Sequence, residues 1–124
     1  MKVSFSDPPR VFQAGDGPDS AIRDMGRIEL SPGEQVTFTS PTGSEYDVAR
    51  MEWGYYATPS LNHRLLQKGF RSALVRNKAG RLYILLVEQS QLESFQAWLG
   101  REKHEVLSWL DGAPAASPSS PVSP

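Results

Sequence analysis

Residues 70–88 read FRSALVRNKAGRLYILLVE, two apolar runs separated by a short polar stretch. That stretch, NKAG, has the length of a hairpin loop and contains Gly80, so the two runs predict a β-hairpin. Residues 82–87 are almost continuously apolar, which is typical of a strand that lies centrally in a sheet and is covered on at least one face. We therefore expect Leu85, in the middle of this run, to be fully buried.

A helix is predicted on each side of this hairpin. Before it, Thr58 is a natural N-cap, Pro59 suits the first helical position, and Gly69 can end the helix in a left-handed conformation. After it, Ser90 and Glu93 form a capping box for a second helix. The stretch HEVLSWL then predicts a last short strand.

Upstream, the stretches RIEL and QVTFT alternate apolar and polar residues on either side of SPGE. Pro32 and Gly33 suit a type II turn, so the two stretches predict a hairpin. EYDVARMEW follows after another turn and predicts a third strand, antiparallel to the second.

From residue 46 the predicted order is therefore strand, helix, strand, strand, helix, strand. This order matches the ferredoxin-like βαββαβ arrangement, whose first and third strands are central, and the apolar run falls in the third position. The sequence predicts an α+β protein with a ferredoxin-like core over about residues 46–110. The N-terminal β-hairpin would extend the antiparallel sheet or cover its open face. A different strand order built from the same elements is the alternative.

Length and composition indicate one domain over residues 26–111, since 124 residues fit a single compact domain. Residues 1–25 and 112–124 are rich in Pro, Gly, Asp or Ser, so we expect a loosely ordered first segment and a disordered last one.

The absence of cysteine excludes disulfides, zinc–thiolate sites and thiol nucleophiles. No run approaches the roughly 20 apolar residues of a membrane helix, and no signal peptide is visible. We expect a cytoplasmic protein without membrane contact.

The charge is distributed unevenly along the chain. Residues 53–87 carry six cations and no acid, although the net charge of the whole chain is only −1. Such a cluster favours an anionic partner. The same cations would also be expected if they line solvated faces and pair with acids in the fold.

The candidate site is the junction between the strand that ends near Trp53 and the helix predicted after Thr58. N–H groups at a helix start, with the positive end of the helix dipole, can bind an anion. Hydroxyl and amide side chains would add hydrogen bonds, arginines would add charge, and a tyrosine would stack on the ligand. The alternative is that Trp53 and one tyrosine are core residues and Thr58 is only a cap. The predicted ligand-binding residues are Tyr55, Tyr56, Thr58, Ser60, Asn62, Arg64, Arg71 and Arg76.

Residues suited to catalysis or metal binding are sparse. His63 and His104 are the only histidines, and they fall on different predicted elements with no serine or acid placed beside them. Two histidines without a carboxylate at ligand spacing are weak metal ligands, and no phosphate-binding loop is present. We predict no catalytic residue, no metal site and no cofactor, which favours a non-enzymatic protein.

Three stretches of the chain resemble small uncharacterised bacterial proteins that are associated with surface-sugar biosynthesis clusters. They are WGYYATPSLNHRLLQKGFRSALVRN, GRLYILLVE and EVLSWLD. The resemblance covers about residues 26–111 and brings no assigned catalytic residue. It implies a sugar-linked anionic ligand, such as a nucleotide-sugar or an acidic sugar, or a partner enzyme from the same pathway.

The resulting hypothesis is a small domain that binds an anionic small molecule (nucleotide, sugar phosphate or acidic sugar) or a partner protein through the cationic junction. An RNA-binding module of ferredoxin-like topology is the alternative, with Tyr83 as a stacking residue on a central strand. An enzyme with an unrecognised site is the third possibility. The oligomeric state is not indicated by the sequence.

Overall fold

The computed structural model describes residues 1–18 and 20–112. The chain is a mixed α+β protein with antiparallel sheets, which confirms the predicted fold class. The predicted disordered segment, apart from Gly112, lies outside the described residues. In chain order the elements are β1 (Lys2–Gln13), β2 (Ala21–Glu29), β3 (Gln35–Thr39), β4 (Glu45–Met51), β5 (Gly54–Ala57), α1 (Arg64–Gln67), β6 (Phe70–Arg76), β7 (Leu82–Glu88), a short 3-10 helix (Gln89–Gln91), α2 (Leu92–Glu102) and β8 (Glu105–Trp109).

The described strands form three sheets, with the orders β1-β2, β3-β4-β5 and β7-β6-β8. By their contacts, the residues divide into two compact units. The first unit comprises Met1–Thr37 and Asp47–Thr58, and the second comprises Phe38–Tyr46 and the described residues from Pro59 onward. Neither α1 nor α2 has the length and apolar character needed to cross a membrane, and no other described helix does.

Residues 1–25 were expected to be loosely ordered, but they hold β1 and the start of β2. The two strands pair antiparallel from Lys2 opposite Glu29 to the far end of the hairpin. The register shifts between Phe5 and Arg10, and Pro8 and Pro9 lie inside that irregular stretch. Because proline cannot donate to a ladder, its confinement to an irregularity leaves the pairing on both sides intact.

The pairing of β2 with β1 means that the predicted hairpin between RIEL and QVTFT is wrong. The turn itself is present, because Glu34 N donates to Ser31 O at 3.0 Å and Gly33 has a φ of +92°. Its role is to lead from one sheet into the next, since β3 pairs with β4 instead. The connection from β3 to β4 is closed by Ser40 N, which donates to Ser44 O at 3.0 Å.

A strand that was not predicted, β5, follows β4 and pairs with it antiparallel from Val48 opposite Ala57 to Met51 opposite Gly54. The stretch GYYA, interpreted as the approach to a helix, is therefore the return strand of a tight hairpin. Alternation is hard to recognise in a strand of only four residues, which explains why the sequence pattern gave no sign of it.

The helix predicted from Thr58 begins six residues later and spans only Arg64–Gln67. Thr58 is not its cap, since the Thr58 hydroxyl donates instead to Gln35 Oε1 at 3.4 Å. Ser60 prepares the helix, because its Oγ accepts a hydrogen bond from Arg64 N at 2.9 Å. The predicted end is confirmed, as Gly69 has a φ of +97° and follows directly after the C-cap residue.

The predicted hairpin of residues 70–88 is confirmed. β6 pairs with β7 antiparallel from Phe70 opposite Glu88 to Arg76 opposite Leu82, without a break in register. Asn77 closes the turn, because its N donates to Arg81 O at 2.9 Å and its Oδ1 accepts from two backbone N–H groups. The predicted last strand is also present, as β8 pairs with the other side of β6.

α2 packs on one face of this sheet and forms the core of the second unit. Ala73 and Val75 on β6 are fully buried, and Leu99 on α2 is 6% exposed. Five partly buried apolar side chains complete the cluster: Leu85, Phe95, Trp98, Val106 and Trp109.

The ferredoxin-like strand order is not observed. β6 is the central strand, β7 lies at an edge of the sheet, and β4 belongs to a different sheet. Leu82, Tyr83 and Ile84 are 58%, 45% and 60% exposed, and Leu85 is only half-buried. The apolar run of β7 therefore does not mark a central strand.

The predicted capping box at the start of α2 is wrong. Gln91 precedes α2 and makes no capping hydrogen bond through its side chain, and the chain enters α2 from the short 3-10 helix. Gly100 does not end α2, which continues to Glu102. Lys103 ends it in a left-handed conformation with a φ of +57°, and His104 N donates to Leu99 O at 2.9 Å.

Candidate functional site

The eight residues predicted to bind a ligand are divided between the two compact units. Tyr55 and Tyr56 on β5 belong to the first unit and are 60% and 49% exposed, and Thr58 belongs to the same unit. Trp53, interpreted as a core residue, is 72% exposed in the turn before β5. The second unit contains the other five: Ser60, Asn62, Arg64, Arg71 and Arg76.

Two of these arginines are engaged in ion pairs on β6. Arg71 Nε donates to Asp111 Oδ2 at 2.5 Å, and the Asp111 side chain is only 1% exposed. The Arg71 guanidinium carbon also lies 3.9 Å from the centroid of the Trp109 ring, within range of a cation–π contact. Arg76 donates to one oxygen of Glu105 through Nε and Nη2, at 3.1 and 2.6 Å.

The same pattern extends to Lys68, whose Nζ lies 3.3 Å from Glu45 Oε1. These three pairings match the interpretation in which the cations of residues 53–87 are balanced by acids within the fold. At the start of α1, Ser60 also accepts hydrogen bonds from the N–H groups of Arg64 and Leu65. N–H groups that were expected to meet an anion are thus bonded within the chain.

A cleft of about 430 Å³ opens in the second unit where α2 passes the end of β7. Phe95, Trp98 and Arg101 of α2 lie along it, together with Glu88 at the end of β7. Their spacing of three residues along α2 places the three helical side chains on one face. The cleft therefore combines aromatic side chains with one cation and one anion.

Glu88 is fixed by hydroxyl groups of the turn between β3 and β4. Thr42 Oγ1 and Ser40 Oγ donate to its Oε1 at 2.5 and 2.7 Å. Hydrogen bonds from Thr42, Ser40 and Ser44 lower the pKa of the Glu88 carboxyl, because they stabilise its charged form. At neutral pH the cleft thus holds a preoriented carboxylate.

Arg101 lies in the last turn of α2, where the negative end of the helix dipole favours a cation. Its side chain is exposed. Within residues 1–18 and 20–112 no carboxylate forms a salt bridge with it, in contrast to Arg71 and Arg76. It is therefore a cation that an external anion can reach.

The aromatic side chains hold one another in place. The Phe95 ring stacks on Trp98 with centroids 6.1 Å apart and an interplanar angle of 20°, and it meets Trp109 edge to face at 5.9 Å. His104 packs edge to face against Trp98 at 4.8 Å, while its Nδ1 donates to Glu102 O. Contacts of this kind favour a preformed aromatic surface over a mobile one.

Arg101 was not among the residues predicted from the sequence. The signal was present, since Gln91, Phe95, Trp98 and Arg101 recur at the helical spacing of three or four residues. Glu88 could not be found in the same way, because its partners Ser40 and Thr42 are more than forty residues away in sequence.

Comparison of the chain with protein-family models, curated proteins and solved structures gives no match. No group of three His, Cys, Asp or Glu side chains suited to a metal ion occurs in the part of the chain that the structure describes. The RNA-binding hypothesis loses its topological support, because Tyr83 lies on the edge strand β7 and not on a central strand.

Proposed function

We propose that the protein binds an anionic small molecule, such as a sugar phosphate, an acidic sugar or a nucleotide, in the cleft beside α2. The observation that carries the proposal is the position of Arg101. It is exposed, has no salt bridge among the described residues, and shares a helix face with the aromatic side chains of the cleft. A guanidinium group can hold a carboxylate or a phosphate through two parallel hydrogen bonds.

The aromatic surface favours a ligand with a ring. Trp98 and Phe95 offer apolar faces on which a sugar or a base can pack. Glu88, held in its charged form, accepts hydrogen bonds but repels a second anion. A ligand with its acidic group at Arg101 and hydroxyl donors toward Glu88 satisfies both groups, and acidic sugars and sugar phosphates have this chemistry. The resemblance to proteins of surface-sugar clusters supports the same ligand class.

We propose binding without catalysis. A carboxyl whose pKa lies below its usual range is a poor general acid. Among the described residues that line the cleft there is no histidine that could act as a general base.

The test is a titration of ¹⁵N-labelled protein with glucose 1-phosphate, glucuronate and uridine monophosphate, with glucose as an uncharged control. We expect at least one of the three anions to shift the Trp98 indole signal, assigned with Trp98→Phe, and glucose to shift it much less. Arg101→Gln should weaken the binding about tenfold or more, because it removes the charge and keeps much of the side-chain volume.

Arg64→Gln is the matched control. It removes the same charge at the start of α1, within the junction that the sequence singled out. If Arg64→Gln abolishes the binding and Arg101→Gln leaves it intact, the ligand lies at the junction and the proposed cleft is wrong. If none of the three anions binds at millimolar concentration, the proposed ligand class is wrong.

A further inference from the structure

The edge strand β7 presents apolar side chains to solvent. It is the outer strand of the β7-β6-β8 sheet and has no strand partner on its other side among the described residues. Leu82, Tyr83 and Ile84, three residues in succession, are each about half exposed. The hydrogen-bonding groups of such an edge can pair with another strand.

Natural edge strands are usually protected by a charge, a proline or a bulge. Residues 82–87 contain neither a charged residue nor a proline, and the ladder between β6 and β7 shows no shift in register. Two other edge strands differ. β8 carries a shift in register opposite Leu74 and Val75, and β1 carries Pro8 and Pro9 within an irregular stretch. β7 thus lacks the charge, the proline and the bulge that protect natural edge strands.

We infer that β7 pairs with β7 of a second copy of this chain, antiparallel, so that two three-stranded sheets join into one sheet of six strands. A two-fold axis through Leu85 places Tyr83 of one copy opposite Val87 of the other, and Ile84 opposite Leu86. When a strand pairs antiparallel with its own copy, corresponding faces of the two sheets lie on the same side of the joined sheet. This is the self-complementary geometry of a two-fold dimer.

The charges at the two ends of β7 favour this occupant and this direction. Arg81 precedes the strand and Glu88 ends it. In antiparallel pairing the basic end of one copy lies beside the acidic end of the other, whereas parallel pairing would place like charges together. The strand is therefore complementary to itself in charge as well as in apolar character.

The expected dimer is weak. Stable interfaces bury about 800 Å² on each partner, and one short strand edge with three half-exposed side chains offers less. We expect a dissociation constant on the order of 100 µM, so the copies would separate at low concentration and associate at high concentration. Leu86, Val87 and Glu88 of β7 line the proposed cleft, but Tyr83 and Ile84 do not, so variants at these two positions test the association separately from ligand binding.

Sedimentation velocity on the full chain between about 5 and 500 µM tests the inference. We expect the weight-average sedimentation coefficient of the wild type to rise across this range, and that of Ile84→Lys to stay at the monomer value. A charge at this half-exposed position blocks edge pairing with little effect on the fold. A loss of folding would mimic this result, so the thermal unfolding of Ile84→Lys is measured and should match that of the wild type. If Ile84→Lys is destabilised, Tyr83→Lys is used in its place.

Two control variants place the same charge elsewhere. Leu107→Lys alters an exposed apolar residue on the opposite edge strand, β8, and Phe5→Lys alters one on β1. Both should associate as the wild type does. A wild type that stays monomeric at 500 µM overturns the inference, as does an Ile84→Lys variant that associates normally. If either control variant fails to associate, the contact lies on another surface, and the inference is also overturned.

Discussion

β6 and β7 are the two halves of one hairpin, and the less apolar of the two is the more deeply buried. In β6, Ser72, Ala73 and Val75 are fully buried, whereas Ile84 in β7 is 60% exposed. β6 has a strand on each side and α2 over one face, and small side chains let these elements approach closely. The burial of a strand thus depends on its neighbours more than on its own hydropathy.

The largest expected effect concerns Arg71 on β6, which lies next to the buried residues of that strand. Asp111→Asn should lower the free energy of unfolding by about 3 kcal/mol, because it leaves the largely buried Arg71 guanidinium without its countercharge. Urea unfolding measures this loss. Glu105→Gln is the matched control, since it breaks the exposed pair with Arg76 at the other end of β6 and should cost less than about 0.5 kcal/mol. Equal losses in the two variants would show that burial does not make the Arg71–Asp111 pair more important for stability than the Arg76–Glu105 pair.

A second pair of variants compares the two strands directly. Val75→Ala should cost about 2 kcal/mol, since it removes fully buried methyl groups and leaves a cavity beside Leu99. Ile84→Ala removes more atoms, yet it should cost less than about 0.5 kcal/mol, because that side chain is mostly in water. The two free energies of unfolding should be measured at a protein concentration of a few micromolar. A larger loss for Ile84→Ala would make β7 the more buried strand and reverse the comparison.

The local features of this hairpin could be predicted from the sequence. Asn77 and Gly80 determine the turn through interactions within five residues, and Gly69 likewise ends α1 by its own backbone preference. The place of β7 in its sheet could not be predicted, because it depends on which strands pair, and a long apolar run is compatible with either position. Thr58 was misinterpreted for the related reason that a good capping residue requires a helix directly after it.

The candidate site likewise has features that could be predicted from the sequence and features that could not. The sequence shows the cations of residues 53–87, but it does not show that Arg71 pairs with Asp111, forty positions later. Arg101, by contrast, lies on the same helical stripe as Phe95 and Trp98, and the stripe could be recognised from spacing alone. Contacts within one element are encoded locally, whereas the neutralisation of a charge is a property of the folded chain.

The buried hydroxyl of Ser72 allows a test in which the central strand gains stability. Ser72 Oγ is fully buried and has no hydrogen-bond partner among the described residues. Ser72→Ala removes this unsatisfied group at nearly constant shape, so it should raise the free energy of unfolding by about 1 kcal/mol. Ser108→Ala is the control, because its hydroxyl is exposed on β8, and it should change stability by less than about 0.5 kcal/mol. A loss of stability in Ser72→Ala would mean that the hydroxyl is satisfied in solution.

The smallest expected effect lies at the end of β7, where hydroxyl groups hold the partly buried Glu88 carboxylate. Its pKa is lower in the folded chain than the ordinary value of 4.5, so the unfolded chain binds more protons near that pH. The stability that Glu88 contributes is therefore fully present above about pH 4.5 and is lost as the pH falls through the lowered pKa. Glu88→Gln keeps an oxygen that can accept from Thr42 and Ser40, but it removes the charge.

The measurement is urea unfolding of wild type and Glu88→Gln from pH 7 down to pH 3. The wild type should be the more stable at neutral pH, and the difference should shrink as the pH falls, because protonation makes the two side chains alike. Glu34 also has a lowered pKa, through hydrogen bonds from the Ser31 backbone and the chain's amino group, but its contribution cancels in the difference between the two proteins. A difference that stays constant with pH would show that the hydroxyl groups of the turn do not stabilise the charged form of Glu88.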